Sequence, residues 1–309
     1  MEMNEVTNYQ LPGILIVGTG ALATLFAARL SQAGHPVTML GTWQHGLDAL
    51  RENGARLIDS NGHEHRYPVH ATDDPRECAD AKYALVLVKA WQTERAAHQL
   101  ADCLADDGLA LTLQNGLGND DTLIRSLGRD RVALGVTTAG ATLLGPGLAR
   151  AGGEGIISMQ RNQALGPLEA GLKSAGFQVE EVEDTRSLVW GKLVVNAAIN
   201  PLTALLRIPN GGLLERPSAR ELMAQLALEA AQAAHAEKVE LPFDDPVRFA
   251  EEVARKTSAN HSSMLQDVLR NARTEIDAIC GAVVSVAQKH GIATPVNQTC
   301  WRLVRALRA

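Results

Sequence analysis

At 309 residues the chain is long enough for two domains, and a formal net charge of −6 leaves no basic face for nucleic acid. Hydrophobic residues make up 46% of it and aromatic residues 4%, which suits an alanine- and leucine-rich α/β enzyme better than a stacking-based nucleic-acid binder. The four cysteines, Cys78, Cys103, Cys280 and Cys300, lack metal-ligand spacing and read as reduced thiols; no metal site is expected. The first ten residues hold Glu2 and Glu5 and no basic cluster, and no apolar run approaches the ~18 residues of a membrane span, so the expectation is a soluble, cytoplasmic protein without a membrane partner.

Taken in chain order, the first element is the strand-like run 14–17. It leads into Gly18-Thr19-Gly20-Ala21-Leu22-Ala23 and an alanine-rich helical pattern through residue 30. Small residues between a strand and a helix let the backbone approach a pyrophosphate, whose charge then rests on helix N-terminal amides. Ala23 stands where the dinucleotide fingerprint often has its third glycine. Further apolar strand runs fall at 37–40, 83–88, 109–113 and 132–136, mostly separated by helical patterns, which is the βαβ alternation of a doubly wound parallel sheet. Residues 56–69 read as an inserted β-hairpin around Ser60-Asn61-Gly62-His63. A second hairpin, punctuated by Gly145-Pro146-Gly147 and Gly152-Gly153, is expected to end near Met159. A helix and a strand then carry the chain to about residue 183.

From residue 184 the pattern is helical only. Residues 225–237 are an almost continuous run of alanine, leucine and glutamate, and residues 274–290 show helical spacing up to the stop at Gly291. The expected architecture is a Rossmann-type domain over 1–184 and an all-helical domain over 185–309.

Ligands of open parallel sheets lie beyond the carboxyl ends of the strands, where this chain has Thr42, Lys89 and Asn115. Lys89 is either a solvated strand end or a hand for a phosphate or substrate anion. Asn115-Gly116 is either a turn or a contact to the nicotinamide end of a cofactor. In the helical half, Lys192, Asn196 and Asn200 are spaced by four and share one stripe of an otherwise apolar helix. A solvated stripe needs no chemistry, but apolar residues on the remaining sides point to burial, and one ammonium with two amides then calls for a polar ligand. Ser263 to Gln266 has capping-box spacing, and Thr274 reads as a helix cap with Glu275 and Asp277 near the positive helix end.

Together with Lys89-Ala90-Trp91-Gln92, Gln114-Asn115-Gly116, Trp190-Gly191-Lys192-Leu193, Ile199-Asn200-Pro201-Leu202-Thr203-Ala204, Pro209-Asn210-Gly211 and Arg273-Thr274-Glu275-Ile276-Asp277, these segments resemble ketopantoate reductase, the 2-dehydropantoate 2-reductase family, in order and spacing over nearly the whole chain. The resemblance implies NADPH-dependent reduction of 2-dehydropantoate to (R)-pantoate, a step towards pantothenate and coenzyme A, by a monomer or homodimer. It implies Lys192 as proton donor, with Glu275 near enough to affect the chemistry. It also implies a substrate side of Asn196, Asn200, Asn210 and Ser263, with Asn260 close enough in sequence to help, and cofactor-side contacts from Lys89, Asn115, Ala141 and Glu275 beside the glycine turn, Lys89 being, like Glu275, near enough to affect the chemistry. The family often places an arginine after the second strand for the 2′-phosphate of NADPH, whereas this chain has Gly41-Thr42-Trp43-Gln44-His45, with neither that cation nor an acidic residue that would select NAD. Thr42, Gln44, His45, Gln92 or Arg51 are then the candidates for the phosphate, and NADH use is possible. Two alternatives stand beside this reading: a same-fold reductase of another branched 2-oxo acid, and a regulatory protein that senses NADP without turning it over.

Overall fold

The computed structural model describes Leu11, residues 13–59 and residues 61–307. The N-terminal stretch with Glu2 and Glu5, and Ser60 of the expected hairpin turn, lie outside the described residues. The chain forms two compact units. One holds the described residues up to Gln114 together with Asn119–Glu183, and the other holds Asn115–Gly118 and the chain from Asp184.

In the first unit, β1 (Ile14–Val17), α1 (Ala21–Gln32), β2 (Val37–Leu40) and α2 (Gln44–Asn53) lead to the short strands β3 (Ala55–Ile58), β4 (Glu64–Tyr67) and β5 (His70–Thr72). Then follow β6 (Ala81–Val86), α3 (Thr93–Cys103), β7 (Leu104–Thr112), α4 (Asn119–Leu127) and β8 (Val132–Thr137). The unit closes with β9 (Ala141–Gly145), β10 (Leu148–Ala151), β11 (Ile156–Gln160), α5 (Gly166–Ser174) and β12 (Gln178–Val182). Eight strands pair in the order β12-β11-β8-β7-β6-β1-β2-β5, and the pairing is parallel except where β11 runs antiparallel to β8.

The unbroken apolar runs follow from burial on both faces of this sheet. Ile14, Ile16, Met39, Leu85 and Leu111 enter one core with Phe26 and Leu30 of α1. The alternating residues Leu15, Val17, Leu40, Ala84, Val86 and Ala110 enter a second core with Leu100 of α3 and Leu123 of α4.

The first expected hairpin is β3–β4, paired antiparallel from Ala55↔Tyr67 to Ile58↔Glu64. The second is shorter than expected. It ends with β10 at Ala151, and β11 leaves it to join the large sheet, so Met159 pairs with Gly135 of β8. The two hairpins make one four-stranded sheet, β4-β3-β10-β9, through parallel pairing of β3 with β10.

The second unit packs α6 (Thr185–Leu206), α7 (Pro217–Ala236), α8 (Pro246–Lys256), α9 (Ser263–Leu269), α10 (Ala282–Lys289) and α11 (Pro295–Ala306) around one core. Asp184 accepts from the Ser187 amide at 2.9 Å, which makes it the N-cap of α6. Alanines of α7, among them Ala227, Ala230, Ala231 and Ala234, are fully or nearly fully buried and let neighbouring helices approach closely. The expected helix 274–290 is shorter at its start: a π-helical turn, Asp277–Gly281, precedes α10. Thr274 is therefore not a helix cap, although its hydroxyl faces the Ile276 amide at 3.5 Å. By length and composition α6 would qualify as a membrane span, contrary to the reading of apolar runs, but 67% of its apolar window is buried inside the unit.

Candidate functional site: a glycine turn and a polar helix stripe

Gly18 holds φ +131°, a conformation that favours glycine, and a Cβ there would lie 3.1 Å from the Leu87 backbone. Its amide donates to Leu40 O at 2.8 Å, which ties the turn to the end of β2. Gly20 is different in kind: nothing lies within 4 Å of where its Cβ would be, and it starts α1 with no side-chain cap. The first amides of α1 are thus left to an anion at the positive end of the helix. Thr19 and Ala23 are buried, and Ala21 and Leu22 are half-buried. The residues present fit a dinucleotide pyrophosphate.

β6 ends at Val86, two residues before the apolar run suggested, so Lys89 lies past the strand and starts a short 3₁₀ turn over Ala90–Gln92. The Gln92 side chain accepts from the Lys89 amide at 3.3 Å, and the Gln92 amide donates to Lys89 O at 2.8 Å. Gln114 fixes the neighbouring strand end by donating to Val88 O at 2.9 Å and to the Thr93 hydroxyl at 2.8 Å. That hydroxyl in turn donates to Asn119 at 2.8 Å. Sequence reading missed this bracing by Gln114 and Asn119, which only the side-by-side arrangement of β6 and β7 reveals. Ala141 begins β9, just past the carboxyl end of β8.

After β2, Thr42 is exposed, and so are Gln44 and His45. Gln44 donates to Asp48 at 2.7 Å. Arg51 is held on three sides, by Ala71 O at 2.8 Å, Asp73 at 3.2 Å and Asp48 at 3.3 Å, so the cation expected as a phosphate candidate already has two carboxylate partners.

In the second unit, α6 carries Lys192, Asn196 and Asn200 on one stripe. Lys192 and Asn196 are half-buried, whereas Asn200 is only 5% exposed. Burial pushes the Lys192 ammonium down to about 8 from its usual range, and the negative charge of Glu275 works in the opposite direction. Glu275 is buried and accepts from Asn115 Nδ2 at 3.3 Å. Asn115–Gly118 packs on the same turn: Leu117 donates to Ala278 O at 3.2 Å, and a Cβ on Gly116, at φ +85°, would meet that oxygen at 2.5 Å. Asn115, Glu275 and Lys192 are therefore brought into one neighbourhood.

Pro201 cannot donate to the carbonyl of Ala197 one turn back, and the Cys280 thiol approaches that oxygen at 4.0 Å. One turn of α6 is thus bound to the π-helical segment that follows Glu275. The N-cap of α9 is Ser262, whose hydroxyl accepts from the Leu265 amide at 3.1 Å and bonds Thr203 of α6 at 2.7 Å; Ser263, read from its spacing as the cap, lies inside the first turn and is half-buried. Asn210 donates to the Thr257 hydroxyl at 2.8 Å, and its buried Oδ1 has no partner among the described residues. The exposed Asn260 touches the same region through its carbonyl, which accepts from the Asn210 amide at 3.0 Å. Sequence reading did not find the Ser262–Thr203 link, since two hydroxyls 59 residues apart carry no pairing signal.

A glycine turn open to an anion on a doubly wound sheet, and a lysine beside a buried carboxylate on a helical unit, are groups that a nucleotide-dependent oxidoreductase requires. Residues 14–164 match the ketopantoate reductase PanE/ApbA family, and residues 184–308 match the family's C-terminal domain. A 2-dehydropantoate 2-reductase of Halobacterium salinarum is 35% identical over 298 residues, covering 94% of this chain and 97% of that protein. The crystal structure of a PanE/ApbA family ketopantoate reductase from Ralstonia eutropha superposes with a TM-score of 0.88 at 33% identity, covering 96% of this chain and 98% of that one. D-mandelate dehydrogenase, solved with NADH and anilino(oxo)acetate, superposes equally well, with a TM-score of 0.88 at 26% identity and the same coverage of both chains. The chain belongs to the ketopantoate reductase family.

Proposed function

We propose that the protein reduces 2-dehydropantoate to (R)-pantoate with NADPH as hydride donor, with a modest preference over NADH, as a cytoplasmic monomer or homodimer. The observation that carries this reading is Lys192, half-buried on an apolar helix, near Glu275 and in line with Asn196 and Asn200. A bound nicotinamide supplies the hydride. Addition of hydride to a ketone leaves an alkoxide, and Lys192 Nζ both neutralises that charge and gives the proton. With its pKa near 8 the ammonium is charged at neutral pH yet closer to the operating pH than an exposed lysine, which favours proton transfer. Asn196, Asn200, Asn210, Asn260 and Ser263 orient the carboxylate and hydroxyl groups of a small flexible acid, and the unpartnered Oδ1 of Asn210 suits a substrate hydroxyl. The 2′-phosphate contact falls to the neutral groups around Thr42, and Lys89, Gln92, Asn115, Ala141 and Glu275 serve the cofactor side.

The test is spectrophotometric: NADPH oxidation is followed with 2-dehydropantoate and a panel of other 2-oxo acids, including an aryl one. Highest kcat/KM for 2-dehydropantoate is expected. A higher value for another acid replaces the substrate, and NADPH binding without any turnover supports a sensor.

A further inference from the structure

The adenosine end of a dinucleotide lies past the second strand of a Rossmann sheet. In this chain that position adjoins the glycine turn directly. Gly18 N donates to Leu40 O at 2.8 Å, and a Cβ on Gly41 would meet the Thr19 methyl group at 2.6 Å, so Thr42 and Trp43 begin right beside the pyrophosphate cradle. Trp43 is 38% exposed, one of the large apolar side chains left facing solvent. Its ring is not loose: it lies against Gly46 of α2, where a Cβ would come within 2.5 Å of the six-membered ring. One part of the indole is thus seated on the helix while the rest faces solvent. The only cation of α2, Arg51, is bound by Asp48, Asp73 and Ala71 O. These groups bring two negative charges and one positive, a balance that gives a phosphate dianion no net attraction.

We propose that Trp43 is the platform on which the adenine ring stacks, and that this stacking, not a cation on the 2′-phosphate, holds the adenosine end. The inference rests on the dinucleotide-dependent reading above and sharpens it. NADH and NADPH should then bind within about tenfold of each other, because the adenine they share supplies the contact and the phosphate that distinguishes them has only neutral partners. Gly46 belongs to the same device, since any side chain there displaces the indole from its seat.

Titration calorimetry with NADH, NADPH and ADP-ribose tests this on the purified protein, with thermal unfolding to check that each variant folds. Trp43→Ala should weaken all three ligands alike by about tenfold or more, the order expected for loss of base–aromatic stacking. Trp43→Phe should keep most of the affinity, and the NADH-to-NADPH ratio should hold in both variants. Asp48→Asn with Asp73→Asn should release Arg51 and shift that ratio towards NADPH. Wild-type affinity retained in a folded Trp43→Ala, or a wild-type preference for NADPH above about a hundredfold, overturns the platform while leaving dinucleotide use intact. Failure of wild type to bind any of the three ligands overturns both.

Discussion

The two units present chemistry in opposite ways. On the proposed reading, the first offers a ligand backbone amides, left open because Gly18 and Gly20 carry no side chain and α1 begins without a side-chain cap. In the second they are side chains, Lys192, Asn196 and Asn200, projected from an otherwise apolar helix and flanked by Glu275. A backbone site is damaged by adding atoms and a side-chain site by removing them. Substitutions in the two units should therefore fail in different measurements.

The largest effect is expected from Lys192→Ala, which removes proton donation and alkoxide stabilisation together and should lower kcat by roughly 10² or more. Dinucleotide affinity measured by calorimetry should be unchanged, and a near-normal kcat would take Lys192 out of the mechanism. The same residue sets a pH limb. Because burial lowers its pKa to about 8, reductive kcat/KM should decline as pH rises through that value and the ammonium is lost. Glu275→Gln removes the charge that opposes this lowering, so the decline should begin at lower pH. A limb that does not move would separate Glu275 from Lys192.

Next in size is Gly20→Val. The backbone at Gly20 is extended, at φ −85°, and open space surrounds the added atoms, so thermal stability should hold within a few degrees. Pyrophosphate approach should be blocked, with NADPH affinity falling by an estimated tenfold or more, about 1.4 kcal/mol. A loss of folding with it would show that the open space is structural.

Asn200→Ala and Ser263→Ala should raise KM for the 2-oxo acid several-fold, in line with ~1 kcal/mol per hydrogen bond, while kcat and dinucleotide affinity change little. Asn200 caps no helix, so Asn200→Ala should spare the fold. By contrast, Ser262→Ala removes the cap of α9 and the bond to Thr203, and should lower stability by about 1 kcal/mol. Equal effects at Ser262 and Ser263 would erase the division between capping and binding.

Thr42→Arg tests the boundary between the two kinds of site, since it adds a side-chain contact to a backbone site. It should raise kcat/KM for NADPH relative to NADH by about tenfold at fixed, low ionic strength, and less in salt. A ratio that stays put would place the phosphate contact elsewhere, with Gln92 and Arg51 the next residues to change.

What the sequence by itself determined is local. Apolar runs gave the strands of the doubly wound sheet, two glycines between a strand and a helix gave the tight turn into α1, and a spacing of four gave the Lys192–Asn200 stripe. Each of these is written within a dozen residues, where periodicity and backbone sterics leave few conformations. Tertiary structure decided the rest. The β3–β10 pairing joins two hairpins some ninety residues apart, and β11 quits its expected hairpin for the edge of the large sheet. The cap of α9 is Ser262, not its neighbour Ser263, because Thr203 of α6 holds it there. Glu275 becomes a buried partner of Asn115, not a surface charge at a helix start, because the turn before α10 is π-helical and begins later than the periodicity suggests. Arg51 looks free in the sequence, yet its charge is spent on Asp48 and Asp73. These outcomes depend on which distant groups are left to satisfy buried polar atoms, and sequence spacing carries no record of that competition.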